Sequence, residues 1–404
     1  MTRHWITRTE ALQRLDVKAQ TLYAYVSRRR IAARPDPVDP RRSLYAADDV
    51  ERIAGRSGGR AIGAPPVSLS GGGLSRGEAA LDTEISVVLE GRVYFRSQDA
   101  TRLAEEMTLE TVAALLWGCD DENPFATLKP RPDVSFPGGP RARALAMLAR
   151  RADEDAAAHG RVGGALQREA ASVLNEMVDA ITGGGPRLFL HQRLGRVWKV
   201  QERDAHLIRR ALVLSADHAL DEATLAARVA ASTHAPLATC ALAALSTLSG
   251  PRLGGRFVMA ENFVAEVRRD GNPHAVARRR LAEGQGLPGF EDGPDCADAR
   301  ATVLIAAAEL SGDLKEILLA GEVLTGRPPS FALALALIAR HLDLPREAAF
   351  AMFAVGRTAG WLAHAMEQIT QGTPVRARFR YMGGEPNPVL ASEAQGRTRA
   401  LEDA

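Results

Sequence analysis

The stretch from Asp217 to Gly255, DHALDEATLAARVAASTHAPLATCALAALSTLSGPRLGG, keeps its polar chemistry at its two ends. At the front, His218 beside Asp217 offers an imidazole that can accept or donate a proton near neutral pH. At the back, Gly250-Pro251 and Gly254-Gly255 mark a turn. Between them, Asp221 to Leu248 is almost continuously small and aliphatic, the pattern of two helices packed in an interior. A site is therefore expected at the ends of this segment. His234 reads as lying inside the helical run and His274, after Asn272-Pro273, as opening a surface helix; both read as ordinary histidines. Cys119, Cys240 and Cys296 are far apart with no C-x-x-C spacing. They read as buried thiols in a reducing compartment, and no metal site is expected.

These residues sit in a chain of 404 residues, long enough for two or three domains. With 46% hydrophobic and 25% charged residues it has an ordinary globular composition. Alanine is abundant and aromatics are only 5%, which favours helices over sheet. The apolar run Ser330–Ile338 stops at Arg340-His341, well short of a membrane span. The N-terminus carries no signal-peptide core, so a cytoplasmic protein with no membrane partner is expected.

The net charge is only +2, yet residues 1–60 hold 13 Lys/Arg against 7 Asp/Glu. Thr7, Thr9 and Glu10 before Ala11, Leu12 and Leu15 predict a short capped helix. A second helix is expected over Ala19–Arg30, then a hairpin-like wing from Pro35 to Arg42 and a third helix over Asp48–Ala54. Leu15-Asp16-Val17 followed by Thr21-Leu22-Tyr23-Ala24-Tyr25-Val26-Ser27-Arg28-Arg29-Arg30-Ile31 resembles a MerR-like helix-turn-helix module. That resemblance implies a DNA partner. Arg28, Arg29, Arg30, Arg41 and Arg42 would meet phosphates, with Gln20, Thr21 and Tyr23 facing base edges. The competing reading makes the module a packing or dimerisation appendage. Residues 56–77, with Gly58-Gly59, Pro65-Pro66 and Gly71-Gly72-Gly73, read as a linker.

Beyond it, Thr83–Leu89 and Arg92–Phe95 predict a hairpin around Glu90-Gly91, and Thr108–Trp117 an amphipathic helix. Helical runs follow at Ala142–Arg151 and Glu169–Ile181. The hairpin, the motif Asp217-His218-Ala219-Leu220, the run Ala226-Ala227-Arg228-Val229 with Ser232-Thr233, and Gly250-Pro251 together resemble the bacterial citrate synthases. So do Asp298-Ala299-Arg300-Ala301, the block Gly356-Arg357-Thr358-Ala359-Gly360-Trp361-Leu362-Ala363-His364-Ala365-Met366-Glu367-Gln368, and Pro374-Val375-Arg376.

The resemblance implies a mainly α fold, with citrate-synthase-like large and small helical domains preceded by a small winged helix-turn-helix-like domain. The boundaries expected are 1–55 for the helix-turn-helix module, 56–77 for the linker, 78–254 with 342–395 for the large domain, 255–341 for the small domain and 396–404 for a tail. It also implies a homodimer and a small di- or tricarboxylate ligand, oxaloacetate or citrate. His218, Arg300, Arg357 and Arg376 match the family's anion-binding positions, with Arg376 reaching into the neighbouring subunit's site. The family's catalytic positions fall instead on Leu253, Asp292 and Ser330. No cofactor is implied, acetyl-CoA being a co-substrate of an active enzyme.

Three functions are compatible with this pattern. One is a non-catalytic homologue that binds a carboxylate and thereby biases its N-terminal module. The second is an active condensing enzyme with altered acid and base groups. The third is an accessory subunit that forms a heterodimer with a citrate synthase paralogue and lends it Arg376.

Overall fold

The computed structural model describes residues 5–15, 22, 32–35, 43–47, 50, 81–119, 123–126, 128, 136–161, 163–183, 189–290 and 298–376. The chain divides into two compact units, Met1–Gly71 and Gly72–Ala404.

In the first unit, β1 (Trp5–Ile6), β2 (Ala33–Pro35) and β3 (Ser43–Ala46) form an antiparallel sheet of order β1-β3-β2. Helix α1 (Arg8–Leu15) begins with the expected capping box. The Thr7 hydroxyl accepts from the Glu10 amide at 3.3 Å, and the Glu10 carboxylate accepts from the Thr7 amide at 2.8 Å. Ile6, Ala11, Leu22, Tyr45, Ala47 and Val50 make its core. The paired strands β2 and β3 flank the expected wing, whose loop lies outside the described residues. Leu22 and Val50 are helical, and the rest of the second and third expected helices also lies outside. Strand β1 was not anticipated, because two residues carry no readable period.

The second unit opens with β4 (Ser86–Leu89) and β5 (Arg92–Phe95), paired from Ser86↔Phe95 to Leu89↔Arg92. Glu90 and Gly91 both have positive φ, 50° and 74°, the backbone that a two-residue hairpin turn of matching twist requires. Strand β6 (Gln98–Asp99) returns on β5, and Asp99 caps α2 (Ala100–Glu106).

Helices then follow almost without interruption: α3 (Leu109–Leu116), α4 (Pro140–Glu154), α5 (Gly164–Thr182), α6 (Leu190–Val197), α7 (Ala205–Leu214), α8 (Glu222–Ala231) and α9 (Leu237–Leu248). After them come α10 (Gly255–Asp270), α11 (Pro273–Ala282), α12 (Ala299–Ala307), α13 (Gly312–Thr325), α14 (Phe331–His341) and α15 (Ala348–Gln371). The predicted helices 108–117, 142–151 and 169–181 are all present, each extended or trimmed by a few residues at its caps.

Helix α15 is the axis of the unit, since every residue from Ala348 to Met366 is buried. It packs against α7, α8, α9, α5 and α14. A helix apolar on all sides gains stability only by being surrounded in this way. Its close approach to the end of α7 depends on two glycines one turn apart. A Cβ on Gly356 would stand 2.4 Å from the Leu212 carbonyl oxygen, and one on Gly360 2.3 Å from that of Ala216. The glycines of the block around Arg357 thus bring α15 against the segment that carries His218.

Candidate functional site

His218 lies between α7 and α8, where the chain must reverse within a few residues. Ala219 takes a left-handed conformation at φ 58°. The Ser86 hydroxyl, from the opening hairpin, accepts from the Ala219 amide at 3.0 Å and donates to Asp217. One side chain therefore ties the backbone after the histidine to the carboxylate before it.

Asp217 is fully buried. Its Oδ2 also meets His364 Nε2 at 3.1 Å, and its Oδ1 lies 3.9 Å from Arg357 Nη1. Burial alone would raise this carboxyl. The charge and hydrogen bond of His364, the charge of Arg357 and the Ser86 hydroxyl outweigh it and hold Asp217 below the usual carboxylate range. His364 comes from α15 and its Nδ1 lies 3.5 Å from the Thr83 hydroxyl, so one network ties hairpin, loop and central helix together.

Two guanidiniums act on His218. Arg357, from α15, donates through Nε to the Ser215 carbonyl at 3.2 Å and through Nη1 to Asp221 at 3.2 Å. Arg300 stands in the first turn of α12, whose capping carboxylate is Asp298. Asp298 accepts from the Arg300 amide at 3.0 Å, from Nε at 2.9 Å and from Nη2 at 2.6 Å. Arg300 Nη1 is buried without a hydrogen-bond partner.

Each guanidinium also covers an aromatic face, Arg300 over Phe331 at 4.5 Å and Arg357 over Phe353 at 5.0 Å. The two rings pack against each other at 6.4 Å. Burial, then the charges of Arg300 and Arg357, push the His218 imidazole well below its ordinary value. The result is a neutral imidazole under the influence of two buried cations, which suits the oxygens of a carboxylate or carbonyl better than proton abstraction.

The other expected site residues are distributed differently. Leu253 is partly buried, with its side chain packed on the core. Ser330 uses its hydroxyl to cap α14, accepting from the Leu333 amide at 3.4 Å, immediately before the Phe331 that carries Arg300. Arg376 is exposed beyond the end of α15. Asp292 lies outside the described residues, as do Thr21, Tyr23, Arg28, Arg29 and Arg42.

His234 differs from expectation. It sits in the turn between α8 and α9 at φ 62°, where Pro236 ends any helical continuation, and its ring meets His159 edge-on at 5.1 Å. His274 is in the first turn of α11 as expected. Burial pushes the Cys240 thiol up to about 12. Among the described residues no cluster of three or more His, Cys, Asp or Glu could hold a metal, and no helix is long and apolar enough to cross a membrane.

The family model for the citrate synthase C-terminal domain matches residues 142–378, more than half of the chain. The chain belongs to the citrate synthase family. A Mycobacterium tuberculosis protein assigned by name as a second citrate synthase is 35% identical over 205 residues, 48% of this chain and 54% of that protein. The citrate synthase of Haloferax volcanii is 32% identical over 185 residues, 43% of this chain and 49% of that protein. The match thus spans about half the length of the curated relatives.

Solved structures carry the citrate synthase fold over more of the chain. The citrate synthase of Thermotoga maritima aligns with a TM-score of 0.60 at 20% identity, covering 77% of this chain and 96% of that one. That of Pyrobaculum aerophilum aligns at 0.61 and 19%, covering 76% and 91%. A third, from Thermoplasma acidophilum, aligns at 0.58 and 15%, covering 76% of this chain and 95% of that one; it is a ternary complex with carboxymethyl coenzyme A and oxaloacetate. Citrate synthases use acetyl-CoA as a co-substrate and need no cofactor.

Sequence reasoning named His218, Arg300 and Arg357 but not the carboxylates around them as site residues: Asp298, Asp221 and Asp217. It also missed Ser86, His364, Phe331 and Phe353. Asp217, Asp298 and His364 lie inside the quoted motifs, whereas Asp221, Phe331 and Phe353 lie outside them, and no spacing rule connects Ser86 to Asp217 or Phe331 to Arg300.

Proposed function

We propose that this citrate-synthase-family protein binds a di- or tricarboxylate of the oxaloacetate or citrate type at His218, Arg300 and Arg357 without condensing it with an acyl-CoA. The observation that carries this reading is the contrast between two sets of positions. The charges of both guanidiniums act on the desolvated imidazole, and the rings that the two guanidiniums cover pack on each other. Leu253, by contrast, is an aliphatic side chain with no proton to exchange, and the Ser330 hydroxyl is engaged as a helix cap. Condensation needs a base and a donor acting together, and losing one such group costs orders of magnitude in rate. In this reading Arg376, exposed beyond α15, serves the site of a second copy of the chain in a homodimer.

Purified protein given acetyl-CoA and oxaloacetate is expected to release no free thiol above background. Turnover on the usual enzyme order of about 1–10³ per second overturns this reading. Calorimetric titration is expected to detect oxaloacetate or citrate binding to the wild type and none to Arg357→Ala. In the same proposal the basic N-terminal unit is a MerR-like helix-turn-helix whose DNA or protein contacts respond to that ligand. The capped helix α1 and the strands flanking the wing support it.

A further inference from the structure

We infer that Asp221 is a specificity-determining residue of this site, a built-in carboxylate that occupies Arg357 and that a polyanionic ligand must displace; this rests on the proposed carboxylate binding. The geometry is direct. Asp221 Oδ2 stands 3.2 Å from Arg357 Nη1, while Asp217 is further away at 3.9 Å and committed to His364 and Ser86. Arg300 is already paired on two of its nitrogens by Asp298. The two guanidiniums therefore have three carboxylates around them, so a further dianion enters a site whose positive charge is already balanced. Of the three, Asp298 and Asp217 are almost completely enclosed, at 2% and 0% side-chain exposure. Asp221, at 26%, alone can turn toward solvent when a ligand arrives.

Asp221 also has a second duty that makes a clean test available. Its Oδ1 caps α8 by accepting from the Thr224 amide at 2.7 Å. Asparagine caps a helix as well as aspartate, so Asp221→Asn removes the charge and keeps the cap.

The experiment is calorimetric titration of wild type, Asp221→Asn, Arg357→Ala and the double variant with oxaloacetate, citrate and pyruvate, each protein checked for an unchanged thermal midpoint. Asp221→Asn is expected to bind oxaloacetate and citrate about ten-fold more tightly than wild type, with a smaller gain for pyruvate, which has a single carboxylate. Neither Arg357→Ala nor the double variant is expected to bind, so removing the Asp221 charge should restore nothing without Arg357. Equal or weaker binding by Asp221→Asn, with wild type binding, overturns the inference and leaves the proposed function standing. A gain that survives in Arg357→Ala overturns it too, since the pair would then not be its source. Binding that appears only in Asp221→Asn supports the inference and overturns the wild type as a carboxylate binder. No binding by either protein overturns both.

Discussion

Two histidines give the clearest consequences at the level of single residues. His218 is held neutral by burial and by Arg300 and Arg357, and His191 is pushed down to about 4, first by burial and then by the Arg209 charge. In both, the folded value lies below the unfolded one near 6.5. As pH falls through about 6.5, the unfolded chain takes up protons that the folded chain refuses, so stability declines with acidification. For His191 the decline runs from about 6.5 down to about 4. The denaturant midpoint is expected to fall between pH 7.5 and pH 5, and His191→Gln and His218→Asn should each reduce the difference. An unchanged midpoint in wild type would contradict the desolvation of both rings.

Among the elements, α15 explains why so many residues of one motif stand together. Gly356 and Gly360 allow the close approach to α7 and the loop after it, and His364, Glu367 and Gln368 continue the same face. His364 reaches Asp217, and Arg228 from α8 reaches Gln368 at 2.8 Å and Glu367 at 2.7 Å. Most of the block is thus there to seat the helix, and Arg357 is the member that pairs with Asp221 and acts on His218. Gly360→Ala would place its methyl 2.3 Å from the Ala216 carbonyl and 2.4 Å from Asp217 Oδ1. Overpacking of this kind costs about 1–3 kcal/mol, and here it also displaces the carboxylate beside His218. Chemical denaturation is expected to show that loss, together with weakened carboxylate binding. An exposed control on the same helix, Thr370→Ala, should show neither.

At the scale of the molecule, the question is whether the two compact units communicate. The first, residues 1–71, has its own small core and sheet; the second carries the site. Under the proposed function, a ligand held at Arg300 and Arg357 changes what the basic unit binds. Gel-shift measurements on the full chain at one stated salt concentration, with and without citrate, are expected to differ. Arg28→Ala should weaken the shift in both conditions. Identical shifts with and without ligand would remove the coupling from the proposal.

The amino-acid sequence by itself determined the helical character, the hairpin with its Glu90-Gly91 turn, the Thr7–Glu10 capping box and the two helices between Asp217 and Gly255. Each of these is written in local signals: a period of 3.6, a capping residue, a turn residue that tolerates positive φ. It also named His218, Arg300 and Arg357, through motifs that keep their order along the chain. The tertiary structure decided which carboxylates pair with the two guanidiniums and that the His218 imidazole is desolvated beside them. Asp298 is two residues from Arg300, but Asp221 is 136 residues from Arg357 and Ser86 is 131 from Asp217. Long-range pairings of that kind leave no periodic trace. They depend on α15 lying against the end of α7, and only there do the charges of Arg300 and Arg357 act on the desolvated His218 imidazole, and those of His364 and Arg357 on the buried Asp217 carboxylate.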